Sequence, residues 1–124
     1  MKYLLALLML IASPAWADWE YVGTEEGTKA EYFLDFETLR IEGNIRKVWQ
    51  LVNLPPNNKM GWSSIRARLE YDCKNETVLS MSIGAFSEQF AVGETLYRNT
   101  TASKKHDVAP DTFGWFMFQR VCQR

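Results

Sequence analysis

Leu39-Arg40-Ile41-Glu42-Gly43-Asn44-Ile45-Arg46-Lys47-Val48-Trp49-Gln50-Leu51-Val52-Asn53-Leu54 is the part of the chain that decides its architecture. Two apolar, β-prone runs flank Gly43-Asn44, and a two-residue loop of that kind is a tight hairpin signal because glycine adopts positive φ without penalty. The loop predicts a register in which Glu42 faces Ile45, Ile41 faces Arg46, Arg40 faces Lys47 and Leu39 faces Val48. Leu39, Ile41, Val48 and Val52 then share one face, and Ile45, Trp49 and Leu51 share the other. Large apolar groups on both faces make the second strand a central one. Pro55-Pro56 ends it, since proline cannot continue a central ladder.

Downstream, Trp62 to Cys73 alternates most clearly. Ile65, Ala67, Leu69, Tyr71 and Cys73 fall on one side, with Ser64, Arg66, Arg68, Glu70 and Asp72 on the other, which is the pattern of a half-buried antiparallel strand. Thr77 to Phe86 reads as the next strand, with Leu79, Met81 and Ile83 in phase, and Thr95 to Arg98 as a short one. Asn99 to Asp107 reads as a polar loop. Upstream, Trp19 to Val22 and Ala30 to Leu34 read as strands, with a turn at Glu25–Thr28 and a bend at Asp35–Thr38. After Pro110, a helix capped by Asp111 places Trp115, Phe118, Gln119 and Cys122 on one side, leaving Phe113 and Met117 pointing away. The aromatic content of that segment also permits a strand. The predicted fold class is therefore α+β: an antiparallel sheet of five to six strands with a C-terminal helix packed on one face.

The N-terminus carries the pattern of a secretory signal. Lys2 precedes an apolar run from Tyr3 to Ala12, about ten residues and short for a membrane span. Ser13-Pro14 breaks it, and Ala15-Trp16-Ala17 offers small residues where a signal peptidase reads them. Cleavage between Ala17 and Asp18 is expected, which divides the chain into a signal peptide, 1–17, and a single domain, 18–124, with no membrane span in the mature part. Residues 18–124 make one domain of ordinary size. The formal net charge of −1 and the dispersed basic residues give no footprint for nucleic acid.

The chain has two cysteines, Cys73 and Cys122. In an oxidising compartment an even count reads as a disulfide; the alternatives are free thiols or part of a metal site, which two cysteines and the lone His106 supply poorly. Because Cys73 continues the phase of Ile65 to Tyr71, a Cys73–Cys122 bridge puts the C-terminal segment over that face or its rim.

Several segments together resemble the surface-adhesin protein E-like family of bacterial exported proteins. They are Trp19, Tyr32 to Asp35 followed by Thr38-Leu39-Arg40, Lys47 to Leu51, Ser63-Ser64, Glu70 to Cys73, and Pro110-Asp111-Thr112 leading to Val121-Cys122. The resemblance implies a sheet of about six antiparallel strands, a C-terminal helix tied to it by the disulfide, and dimerisation. The family's namesake is a surface lipoprotein that binds host extracellular-matrix proteins; no lipid-attachment cysteine follows the apolar run here.

The residues offer little to catalysis. His106 sits in a polar segment beside Lys104, Lys105 and Asp107, and no phosphate loop or metal-ligand cluster is present. Asp35 with Glu37, and Glu70 with Asp72, share strand faces but read equally well as solvated carboxylates. Trp49, Leu51, Arg66 and Arg68 lie on the phase opposite Cys73, and a surface mixing tryptophan with arginine suits a protein interface; Trp49 could also be core. Phe113, Phe116 and Met117 form either an exposed apolar stripe or a contact with Trp62 and the Pro55-Pro56 loop. The leading expectation is thus a non-enzymatic cell-envelope protein, periplasmic or secreted, needing no cofactor, that binds another protein through an exposed sheet face. A periplasmic small-ligand or haem-type binder is the alternative.

Overall fold

The hairpin loop at Gly43-Asn44 turns the chain as its residues dictate, with Gly43 at φ 59°. The structure, a computed structural model, describes residues 17–124; the expected signal segment, apart from its last residue, lies outside them. Its elements run β1 (Glu20–Thr24), β2 (Glu31–Glu42), β3 (Ile45–Asn53), β4 (Ser64–Asp72), β5 (Thr77–Glu88), a 3-10 turn (Gln89–Ala91), β6 (Val92–Asn99), β7 (His106–Asp107) and α1 (Phe113–Cys122). The strands form one antiparallel seven-stranded sheet in the order β1-β2-β3-β4-β5-β6, with β7 pairing β5 beside the end of β6. A chain of successive neighbours needs only short connections, which is the least demanding way to close such a sheet.

The predicted register holds at Glu42–Ile45, Ile41–Arg46 and Arg40–Lys47 and then breaks. The expected Leu39–Val48 pair is absent, because Trp49 pairs with Asp35 and four residues of β2 bulge past the ladder. The segment read as a bend is thus a bulge inside one twelve-residue strand. Buried Asp35 organises it: its carboxylate accepts the Glu37 N–H at 3.1 Å, and the Thr38 hydroxyl donates to its carbonyl at 2.8 Å. The bulge turns both Phe36 and Leu39 to the core.

Leu34, Val48, Tyr71, Val108, Met117, Phe118 and Val121 form the main core, between α1 and one sheet face. The disulfide joins Cys73 to Cys122 with Cα atoms 5.7 Å apart, so the helix lies on the Ile65–Cys73 face as the alternation implied. Its rotation differs from the prediction. Met117 and Val121 are buried and Gln119 is exposed. The cap is Thr112, not Asp111: the Thr112 hydroxyl accepts the Trp115 N–H at 3.1 Å, while Asp111 takes the left-handed conformation at φ 62°. A one-residue shift of the cap turns the helix by about 100°, which moves Met117 inward. Phe113 packs on Tyr32 with ring centroids 4.6 Å apart. Phe116 lies against Gly23, where an added Cβ would come within 3.1 Å of its ring. Neither aromatic ring meets Trp62, which stacks on Tyr97 instead.

Two strand readings change as well. A bulge drops Met81 from the β4–β5 pairing, so Leu79 opposes Glu70 and Ile83 opposes Ala67, in opposite phases. The segment read as a loop from Asn99 to Asp107 contains β7, with His106 opposite Val78.

Candidate functional site

Alternation along β3 and β4 carries Trp49, Leu51, Arg66 and Arg68 to the sheet face away from α1, where Trp49 pairs with Arg68 and Leu51 with Arg66. The Arg66 guanidinium stands between two rings, 5.5 Å from the Trp49 centroid and 5.2 Å from that of Phe86. Arg66 is exposed and Trp49 half-buried, so the sandwich presents a charged edge to solvent above an aromatic floor. Gly84, opposite Arg66, leaves space for the Phe86 ring: a Cβ there would meet it at 3.3 Å. Arg98 of β6 pairs with the same glycine and brings a further cation. The Trp49–Arg66 pair divides two recesses. One, of about 170 Å³, is lined by Phe86, Thr95 and Arg98; the other, of about 610 Å³, by Trp19, Asp35 and Glu37, with Ala17 and Asp18 at its wall. Phe86 and Arg98 are absent from the sequence-based site because the Met81 bulge resets the phase of β5, and with it that of β6.

Leu51 does not belong to this surface. It has no exposed area, because this face is only partly open. The 3-10 turn folds back over its end, with Phe90 and Ala91 both in the left-handed region at φ 60° and 59°. Two buried polar side chains hold them there. Asn53 Oδ1 accepts the Phe90 N–H at 2.9 Å, and Ser64 Oγ accepts the Ala91 N–H at 2.9 Å while donating to the Glu88 carbonyl at 2.6 Å. Phe90 rests on Phe33 at 5.2 Å, and Phe33 on Tyr21 at 5.6 Å, with Phe90 and Tyr21 substantially exposed. Nothing in the local sequence around Gln89 marks this turn; its partners are about thirty residues away.

On the helix side a cleft of about 560 Å³ opens between α1, β7 and the sheet. Leu69, Met117 and Phe113 supply apolar walls, Tyr32, Tyr71 and Gln50 polar ones, and Glu25, His106 and Asp107 line it as well. Burial, and secondarily the Glu25 carboxylate, raises the Tyr32 hydroxyl above its ordinary pKa; burial, and secondarily Tyr32, raises that of Tyr71 further. Both phenols stay protonated donors. His106 is exposed on the short β7, in ladder with Val78 rather than paired with a nucleophile. Among the described residues no cluster of three or more His, Cys, Asp or Glu could hold a metal ion.

The family described as surface-adhesin protein E matches residues 19–123. Three crystal forms or preparations of Haemophilus influenzae protein E share the fold. The selenomethionine form is 18% identical, with a TM-score of 0.61 over 84% of this chain and 86% of that one. Crystal form II is 22% identical, with a TM-score of 0.60 over 90% and 94%. Protein E from a non-typeable strain is 22% identical, with a TM-score of 0.56 over 83% and 75%. At these identities the likeness is one of fold. No curated protein sequence is a significant match.

Proposed function

The chain belongs to the surface-adhesin protein E family, and on that premise we propose that it is an exported, non-enzymatic adhesin-like protein that binds another protein through the sheet face opposite α1. The observation that carries this reading is the Arg66 guanidinium held between Trp49 and Phe86 at the open part of that face. Tryptophan and arginine are the residue types that concentrate binding energy at protein interfaces, and a guanidinium already oriented by two rings loses less freedom on docking. Arg68 and Arg98 extend the patch. Leu51 supports it from beneath.

Export is the second part of the proposal. Residues 1–17 are removed, and the new terminus at Asp18 stands at the recess that Trp49 and Arg66 border. Among the described residues no helix is long and apolar enough to cross a membrane. The test is site-specific photo-crosslinking from position 68 in the exporting cell, combined with mass measurement of the mature N-terminus. A discrete adduct that disappears in Trp49→Ala and Arg66→Glu is the expected result, whether the captured protein is a different chain or a second copy. An adduct pattern unchanged by both substitutions sinks the sheet-face reading, and a chain that retains its first residues sinks export by cleavage.

A further inference from the structure

We propose that the cleft between α1 and the sheet is a binding site for a small uncharged or cationic amphipathic molecule. Its apolar body lies against Leu69, Phe113 and Met117, and its hydrogen-bond acceptor meets the hydroxyls of Tyr32 and Tyr71. The site lies on the opposite side of the sheet from the protein-binding surface and is independent of it.

Three observations carry the assignment. The cleft's volume of about 560 Å³ falls within the range of small-molecule sites, which are mainly apolar with a few convergent polar groups. The Tyr71 residue is 3% exposed and lines the cleft; its hydroxyl makes no hydrogen bond to a described residue and is not sealed off, so it remains open to a guest in the cleft. Tyrosine hydroxyls on buried rings ordinarily find a hydrogen-bond partner, which here must come from the cleft. The Tyr71 ring is nevertheless fixed by Phe118, 6.1 Å away, so the unpaired hydroxyl is held in place rather than free to swing out. The half-buried Gln50 amide lines the same cleft and adds a further donor and acceptor. The Glu25 carboxylate, close enough to disturb Tyr32, sets the sign of the preference. With Asp107 it makes the lining inhospitable to an anion and neutral or favourable to an amine.

The mature full-length chain is titrated with prodan, a neutral naphthalene dye that carries a ketone acceptor and a tertiary amine. Anilinonaphthalene sulfonate, of similar size but anionic, is the counter-probe. One saturable site with blue-shifted prodan emission is expected, with the sulfonate bound at least about tenfold more weakly. Tyr71→Phe keeps the ring packing and removes only the hydroxyl; it weakens prodan by about tenfold, the worth of one hydrogen bond. Ser80→Trp, which fills the cleft from β5, abolishes binding, and Trp49→Ala on the far face leaves it unchanged. Non-saturable binding, indifference to both Tyr71→Phe and Ser80→Trp, or an equal preference for the sulfonate overturns the proposal. Circular dichroism of each variant separates loss of the site from loss of the fold.

Discussion

Asn53 Oδ1 accepts a hydrogen bond from the Phe90 N–H at 2.9 Å, joining the last residue of β3 to a turn 37 positions later in the chain. Through it, a strand terminus determines the backbone of a distant loop. Phe90 and Ala91 are held in a conformation that costs a residue with a Cβ on the order of 1 kcal/mol each, and buried Asn53 and Ser64 supply the compensating acceptors.

That dependence gives the first prediction. Asn53→Ala leaves the Phe90 N–H unpaired and costs about 1–3 kcal/mol in urea unfolding. Ala91→Gly, at φ 59°, relieves strain and raises the midpoint modestly, since glycine adopts this region freely. A stable Asn53→Ala protein with undiminished amide protection at Phe90 contradicts the account.

The disulfide fixes α1 on the sheet across a sequence separation of 49 residues. Closing a loop of that length stabilises the folded state by about 4 kcal/mol in the chain-entropy treatment. Reduction, or the Cys73→Ala/Cys122→Ala pair, should lower the guanidinium midpoint accordingly. The sheet's far-ultraviolet signal survives longer than the Trp115 environment if α1 leaves first.

Gly23 lies where α1 presses on β1. Added atoms at this position meet the Phe116 ring at 3.1 Å and that of Phe113 at 3.5 Å. Gly23→Val is expected to cost about 1–3 kcal/mol by overpacking. The double change Gly23→Val/Phe116→Ala should recover part of it, which a double-mutant cycle measures directly.

Asp72 and Tyr71 respond to pH in opposite directions. The Asp72 carboxylate accepts the Asn75 N–H at 3.0 Å, the Asn75 side-chain amide at 2.9 Å and the Lys74 N–H at 3.1 Å. Those bonds to Asn75 lower its pKa from 3.8. A lowered pKa means that its contribution is complete above the unfolded value and is lost as pH falls through the folded one. Asp72→Asn should therefore lower stability at neutral pH, where the ionised carboxylate contributes, and flatten the acid limb below about pH 4, where the wild-type protein has itself lost that contribution. Tyr71 behaves oppositely. Burial raises its pKa above 10.0, so its contribution is present below that value and lost as pH climbs beyond it. Tyr71→Phe should blunt alkaline unfolding monitored by fluorescence.

Much of the architecture is legible because it is local. Gly43-Asn44 sets a turn, Trp62 to Cys73 alternates with period two, and Cys73 belongs to the same phase as the face the helix covers. The candidate site is less legible. Trp49, Arg66 and Arg68 share a face by parity alone, but Phe86 and Arg98 join them only after the Met81 bulge shifts a strand by one position. Parity cannot say that Leu51 is buried, because the turn that covers it is held by Asn53 and Ser64 from two other strands.

The sequence by itself determined the two-residue hairpin, the alternation of β4, the single possible pairing of its two cysteines and hence the face on which the C-terminal segment lies. These follow from short-range sterics, period-two geometry and covalent chemistry, all of which act within a few residues or between atoms that have only one possible mate. Only the tertiary structure decided the bulges at Phe36–Leu39 and Met81, the rotation of α1 about Thr112, the closing of the sheet's far face over Leu51 and the opening of a cleft beneath α1. Each of these depends on which distant side chain wins a limited space or satisfies a buried polar group, and that competition is settled only when the strands and helix are packed together.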